Sequence, residues 1–194
     1  MYSLYLDTAT KYLSIGIAKD YRLIDKVQYE ANKRQSEVTI PELKKQLDKL
    51  NLSLSDIGEI VITIGPGSFT GIRISLCIAK VIASLKKIPL KTISTLNAYA
   101  QEGKKIVLID AKVNRAYIGI YENNKPLIDE QVLTLSEIKE IIKNYPEFEI
   151  VNDSYLLGYE SKPIDIVENI NRLAPNLKVE ESVDNLVPLY FKDR

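Results

Sequence analysis

The residues best suited to chemistry are a glycine-rich loop at residues 65–71 and two aspartates, Asp7 and Asp110, that each follow an apolar run. The loop reads Gly-Pro-Gly-Ser-Phe-Thr-Gly and joins a predicted buried strand to a predicted helix. Backbone amides converge at such a junction near the positive end of the helix dipole, so the loop could hold a phosphate. The candidate phosphate or nucleotide residues are Asp7, Thr8, Gly65, Gly67, Ser68, Thr70, Gly71 and Arg73.

The same loop departs from the known phosphate-binding fingerprints. A Walker loop ends in Gly-Lys-Ser or Gly-Lys-Thr, whereas Gly71 is followed here by Ile72 and Arg73, and the dinucleotide fingerprint is missed by one residue. The glycines could instead serve a tight turn and close packing of helix on strand. Asp7 and Asp110 could bind magnesium, but we favour a role as strand-end residues that cap turns.

The absence of histidine excludes several kinds of chemistry. A Ser-His-Asp triad, a histidine general base and the usual histidine-rich zinc or iron sites cannot be built within this chain. The lone Cys77 lies in an apolar helical run and is predicted to be a small buried core residue in a reducing compartment. Catalysis within this chain would have to rest on carboxylates, Lys, Tyr or backbone amides, and we assign no catalytic residue and no metal site.

The composition is that of a globular protein with no overall charge. The 194 residues are 45% hydrophobic, and 26 basic residues balance 26 acidic ones. This balance removes the broad positive field of proteins that grip nucleic acid by its phosphates, so any RNA contact should be local or shared with a partner. The amino terminus lacks a signal-peptide pattern, and no apolar stretch approaches the roughly 18 residues of a membrane span, so we expect a cytoplasmic protein.

The hydrophobic pattern predicts alternating strands and helices of an α/β protein. Alternating apolar residues and short gaps indicate an antiparallel meander at the start of the chain. Helical spacing of apolar residues indicates two long amphipathic helices before the midpoint. The strands are predicted at 2–6, 12–18, 22–29, 59–64, 89–93, 105–110, 115–121 and 127–133, and the helices at 37–50, 70–86, 94–101 and 136–144.

The second half of the chain repeats the order of the first. Each copy has an aspartate at the end of its first strand and a helix after its third strand. The first two matches are displaced by the same 103 positions, and the third lies one residue further out. The matching pairs are Leu6-Asp7 with Ile109-Asp110, Ile15-Gly16-Ile17 with Ile118-Gly119-Ile120, and Leu23-Ile24-Asp25 with Leu127-Ile128-Asp129.

This repeat predicts two related lobes, an N-terminal lobe at 1–103 and a C-terminal lobe at 104–194, each a mixed sheet with helices. Two such lobes are the architecture of the actin, Hsp70 and sugar kinase superfamily, the ASKHA proteins, whose lobes are RNase H-like. Fold alone does not determine function.

A longer comparison of motifs points to one family. The segment 64–74, Ile-Gly-Pro-Gly-Ser-Phe-Thr-Gly-Ile-Arg-Ile, resembles the signature loop of the TsaB (YeaZ) family. Further resemblances to that family are spread along the whole chain. They are Leu6-Asp7-Thr8-Ala9-Thr10, Ile93-Ser94-Thr95-Leu96, Ile109-Asp110-Ala111 and Val187-Pro188-Leu189-Tyr190.

The resemblance implies a non-catalytic subunit in the formation of N6-threonylcarbamoyladenosine (t6A) in tRNAs that read codons beginning with A. Such a subunit resembles the catalytic subunit TsaD in fold, pairs with it, and works with a TsaE-like ATPase. It would meet tRNA only through the complex and could form a homodimer when alone. It would need no cofactor of its own, although ATP or ADP could bind at the interface shared with the partner. Gln35-Ser36 departs from the family, whose members often carry His-Ser there.

Two helices of the first lobe carry the predicted partner surface. In the helix at 70–86, Ser75, Ala79 and Ala83 recur at every fourth residue and could form a small-residue stripe along which another helix approaches. Some apolar residues of both helices must also face the protein's own sheet. The predicted partner-binding residues are Ile40, Leu43, Leu47, Ile74, Ser75, Ile78, Ala79, Ile82 and Ala83.

Three other functions would each need features that this sequence lacks or supplies only in part. An independent nucleotide-binding enzyme, a small-molecule kinase or ATPase of the same superfamily, would need working phosphate loops. A glycoprotease-like peptidase of the usual metal-dependent kind would need histidine. An RNase H-like nuclease would need more clustered carboxylates than Asp7 and Asp110 supply.

Overall fold

The computed structural model describes residues 1–191 of the chain, so the last three residues of the predicted C-terminal lobe, 192–194, lie outside the described residues. The described chain forms two five-stranded sheets with helices on and between them. Within residues 1–191, none of the helices has the length and apolar character needed to cross a bilayer.

The first sheet has the strand order β3-β2-β1-β4-β5. The first three strands form the predicted antiparallel meander, and β4 and β5 continue the sheet in parallel to β1. Strand β4, which lies between β1 and β5, is nearly continuously apolar because it is buried on both faces. The bounds are Tyr2–Asp7 for β1, Tyr12–Lys19 for β2, Arg22–Glu30 for β3, Ile57–Thr63 for β4 and Leu90–Ile93 for β5.

Three helices belong to this part of the chain: α1 (Gln35–Lys49), α2 (Phe69–Lys86) and α3 (Thr95–Ala100). Each of the last two begins where a serine side chain accepts a hydrogen bond from a first-turn amide, Ser68 from Gly71 and Ser94 from Leu96. Helices α1 and α2 bury their apolar stripes on one face of the first sheet, in a shared cluster of aliphatic side chains. The three helices predicted for this half are therefore confirmed.

The second sheet has the order β10-β6-β7-β8, with β9 also paired to β7. The single strand predicted at 127–133 is wrong, because the chain leaves the sheet between β8 and β9. In the gap Glu130 turns inward and accepts hydrogen bonds from Ser94, at 2.7 Å, and from Tyr121. The strands are β6 (Lys104–Lys112), β7 (Arg115–Glu122), β8 (Lys125–Pro126), β9 (Gln131–Thr134) and β10 (Glu149–Asn152).

Two further helices complete the second half, α4 (Leu135–Ile142) on the outer face of the second sheet and α5 (Ile166–Leu173) between the sheets. Helices α3 and α5 fill the space between the two sheets and share one apolar cluster with both of them. Strand β10 and helix α5 are additions to the sequence-based prediction. After α5 the chain returns to the first lobe, where the Glu180 amide donates to the Leu90 carbonyl at 2.8 Å.

A buried ion pair lies on the first sheet, on neighbouring strands. Lys91 Nζ is 2.9 Å from Glu59 Oε2, and the two side chains are only 7% and 2% exposed. The remaining polar atoms find partners as well, since Lys91 donates to the Ala174 carbonyl at 2.9 Å and Ser3 donates to Glu59 Oε1 at 2.7 Å. Because Ala174 follows α5, this pair ties the first sheet to the helix between the lobes.

We predict that Lys91→Met lowers the free energy of unfolding by about 3 to 5 kcal/mol, because it leaves the Glu59 carboxylate buried without its cation. Urea denaturation of the two proteins measures the loss. The matched control is Lys44→Met, which removes a cation from an exposed pair with Asp48 and should cost less than about 1 kcal/mol. Equal, small losses in both variants would contradict this account of the pair.

Candidate functional site

A cleft of about 570 Å³ lies between the two lobes. Its first wall comes from the glycine loop and the turn after β1, and its second wall comes from the β6–β7 hairpin and the end of β10. Of the predicted phosphate residues, Gly67, Ser68, Thr70 and Gly71 line this cleft, as does Asp110.

The glycine loop packs directly against the turn that follows β1. The Ser68 amide donates to the Ala9 carbonyl at 2.6 Å, and Thr8 Oγ1 donates to the Gly71 carbonyl at 2.6 Å. A Cβ atom on Gly67 would collide with the Ala9 carbonyl, and one on Gly71 would collide with the Thr8 carbonyl. These two glycines are therefore required by backbone packing, and the Ser68 amide and Thr8 hydroxyl are already committed to partners within the chain.

Gly65 and Arg73, two further predicted phosphate residues, are also in contact with neighbours. Gly65 has a φ of +105°, and a Cβ atom there would lie 2.8 Å from the Leu189 carbonyl oxygen. The Arg73 guanidinium lies 3.6 Å from the centre of the Phe69 ring, where it makes a cation–π contact. The loop thus works as a packed corner between β4 and α2.

Asp7 is fully buried at the end of β1 and does not line the cleft. Its Oδ1 accepts hydrogen bonds from the Thr63 hydroxyl and from the Ala9 amide, the latter at 3.1 Å. Its Oδ2 is buried and has no hydrogen-bond partner among the described residues. Burial raises the pKa of Asp7 to about 6, although the bonds from Thr63 and Ala9 act in the opposite direction.

Asp110 lies in a different environment, at the second wall of the cleft. Partial burial acts to raise its pKa, but the hydrogen bonds from the Lys112 ammonium and amide outweigh burial and lower it. The Asp110 amide donates to Asp153 Oδ2 at 2.8 Å, and burial raises the pKa of that second carboxyl. Within residues 1–191, no three or more His, Cys, Asp or Glu side chains cluster so that they could hold a metal ion.

We predict that Asp7 makes the fold less stable as pH rises. Its pKa is raised above the ordinary value of 3.8, so its contribution is complete below about pH 4 and is lost as pH rises through about 6. The loss should reach about 3 kcal/mol by pH 7. Urea denaturation between pH 4 and pH 7 should show this decline in the wild type and not in Asp7→Asn.

Asp56→Asn is the control for that measurement. The bonds from Ser53 lower the pKa of Asp56, so removing this carboxyl should leave the decline between pH 4 and pH 7 in place. A decline that persists in Asp7→Asn would refute the assignment to Asp7.

A second candidate site is an apolar groove of about 620 Å³ between α1 and α2. Ile40 and Val81 stand on its rim and are 53% and 52% exposed. Leu43, Leu47 and Ile82 are almost buried and form its floor. The groove is lined by Ile40, Leu43, Lys44, Leu47, Asp48, Leu52, Ser53, Leu54, Cys77, Ile78, Val81 and Ile82.

The predicted small-residue stripe on α2 is wrong as a partner surface. Ser75, Ala79 and Ala83 are buried, since they let α2 approach its own sheet closely. Ile74 is half-buried and lines the inter-lobe cleft instead of the groove. Cys77, expected in the core, is exposed at the groove.

The outward row of α2 consists of Cys77, Val81 and Leu85, each four residues from the next. This row has the same spacing as the small-residue stripe but lies on the opposite face of the helix. Helical periodicity detects both rows. The exposed row differs from the buried row in its larger side chains, which have no neighbour to cover them.

The two sheets, the helices between them and the inter-lobe cleft define a two-lobed α/β protein of the ASKHA type. The family model described as TsaD, tRNA N6-adenosine threonylcarbamoyltransferase, matches residues 27–158. Because this match spans more than half of the chain, the chain belongs to that family, and its motifs and relatives assign it to the TsaB (YeaZ) branch.

Curated relatives agree with this assignment over most of the chain. The tRNA threonylcarbamoyladenosine biosynthesis protein TsaB of Buchnera aphidicola subsp. Schizaphis graminum is 28% identical over 207 aligned positions, which cover 96% of this chain and 98% of the relative. The protein of the same name from Bacillus subtilis is 28% identical over 134 positions, which cover 66% of this chain and 58% of the relative.

Among solved structures, YeaZ from Pseudomonas aeruginosa has the same fold. It superposes with a TM-score of 0.78 at 19% sequence identity, and the match covers 98% of this chain and 99% of YeaZ.

Proposed function

We propose that this chain is a TsaB-type subunit in the biosynthesis of t6A in tRNA and that it does not itself catalyse the reaction. The relatives named for t6A biosynthesis support the pathway. The packed corner at residues 65–71 supports the non-catalytic role. Gly67 accommodates the Ala9 carbonyl and Gly71 accommodates the Thr8 carbonyl, where a phosphate loop would present free amides. Such a subunit works in the cytoplasm and meets tRNA only through its complex.

The apolar groove between α1 and α2 is the observation that supports a TsaD-like subunit as the partner. A row of exposed Cys77, Val81 and Leu85 beside Ile40 is unusual on a surface that faces only water. Two helices from a TsaD-like subunit of related fold would complete a four-helix bundle there. A standard interface needs roughly 800 Å² per partner, which two helices can supply.

Further components of the proposal concern the larger complex. A TsaE-like ATPase joins the pair, and ATP or ADP binds where the subunits meet, so this chain needs no cofactor of its own. Without the catalytic subunit, the same groove would bring two copies of this chain together.

We predict that Val81→Arg weakens binding to a TsaD-like subunit by roughly 30-fold or more, since truncation or charging of a central interface residue costs about 2 kcal/mol or more. Titration calorimetry with purified TsaD measures the affinity. Ala79→Arg and Ala83→Arg are unsuitable for this purpose, because these buried positions face the protein's own sheet and the substitutions would unfold the chain.

Leu127→Arg is the matched control. Leu127 lies on the second lobe and is 46% exposed, close to the value for Val81, so the same change of side chain there should leave both the affinity and the melting temperature unchanged. If a folded Val81→Arg variant binds TsaD with wild-type affinity, the groove is not the partner surface.

An independent nucleotide-binding enzyme, a small-molecule kinase or ATPase, is the alternative. The inter-lobe cleft, with Ser68, Thr70 and Asp110 on its walls, is the feature that favours it. Calorimetry of the isolated chain with ATP and magnesium distinguishes the non-catalytic subunit from the independent enzyme. The subunit proposal expects no turnover, whereas tight binding with ATP hydrolysis would support the enzyme.

A further inference from the structure

The residues after α5 form a strap that runs back over the first lobe. Val179 bridges to Lys91 on the edge strand β5, and Lys80 of α2 donates to the Asp184 carbonyl at 2.8 Å. Val183 and Leu186 pack on the apolar cluster that holds α1 and α2 to the sheet. The strap thus follows α2 back toward its first turn.

The strap then crosses the corner formed by the glycine loop. The Leu189 amide donates to the Ile64 carbonyl at 2.7 Å, directly before the loop begins. The Leu189 carbonyl occupies the space beside Gly65 where a side chain would otherwise stand. The first glycine of the loop is therefore needed for the passage of the strap.

The end of the strap contacts both lobes. The Tyr190 ring stacks on Phe69 of the first lobe with centroids 5.4 Å apart, and the Phe191 ring contacts Tyr117 of the second lobe at 5.9 Å. Phe69 and Tyr117 both line the inter-lobe cleft. Two consecutive residues of the strap thereby join the opposite walls of the cleft.

We propose that residues 189–191 form a clasp that holds the two lobes in one relative orientation and controls the width of the cleft. The apolar cluster around α3 and α5 joins the lobes at the base of the cleft, and the clasp joins them at its edge. Aromatic ring contacts at a half-exposed position are individually weak, so the clasp can open while the fold stays intact. This role is independent of the partner subunit.

Pulsed electron paramagnetic resonance on the full chain tests the clasp. In a Cys77→Ser background, spin labels are attached at Ser36→Cys on α1 and Lys139→Cys on α4, which are exposed positions in opposite lobes. With the clasp intact, the distance distribution should have a single narrow maximum. In the double variant Tyr190→Ala, Phe191→Ala, part of the distribution should shift to other distances.

Val187→Ala is the control, because Val187 lies in the strap just before the clasp, is 69% exposed and makes none of the ring contacts. It should keep the narrow distribution. The melting temperature of each variant shows that the chain remains folded. The clasp proposal is wrong if the folded double variant keeps the wild-type distance distribution. It is also wrong if Val187→Ala changes that distribution as much as the double variant does.

Discussion

The close contact between two backbone segments at the corner of β4 and α2 sets the position of α2 and of the glycine loop. The turn after β1 and the glycine loop approach so closely that a side chain at Gly67 or Gly71 would push them apart. Because α2 starts at Phe69, this contact fixes the direction in which the helix leaves the sheet. It also commits the Ser68 amide, which a phosphate loop would present to a nucleotide, to the Ala9 carbonyl.

The direction of α2 determines what each of its faces can do. Its small residues turn inward and let the helix lie close to the sheet, whereas its larger row, from Cys77 to Leu85, stays outside beside α1. One helix therefore holds the first lobe together and supplies the proposed partner surface. The C-terminal strap passes Gly65 at the same corner before it reaches the cleft. This corner therefore positions the partner surface, the cleft and the strap.

Much of the fold could be predicted from the sequence because it is encoded locally. Alternating and continuous apolar runs identified the five strands of the first sheet, and helical spacing of apolar residues identified α1 and α2. The break in the strand predicted at 127–133 could not be seen, because it depends on a long-range bond between Glu130 and Ser94. Helix α5 did leave a local signal, a capping Asp165 followed by apolar residues at helical spacing.

The candidate site was harder to predict than the fold. Helical spacing groups Ser75 with Ala79 and Ala83, but it does not reveal that the sheet covers this face. The sequence groups the loop residues together, yet only the three-dimensional contact with Ala9 distinguishes a packed corner from a phosphate loop. The burial of Asp7 and its unpartnered Oδ2 likewise follow from packing between strands that are distant in sequence.

Reconstitution of tRNA modification tests the role of this chain as a non-catalytic subunit. Purified TsaD, its ATPase partner, the threonylcarbamoyl donor and unmodified tRNA are incubated with and without this chain, and t6A is measured in the tRNA. We expect t6A to form only when this chain is present, and we expect this chain alone to form none. Equal t6A formation without it, or t6A formation by this chain in the absence of TsaD, would rule out the proposed role.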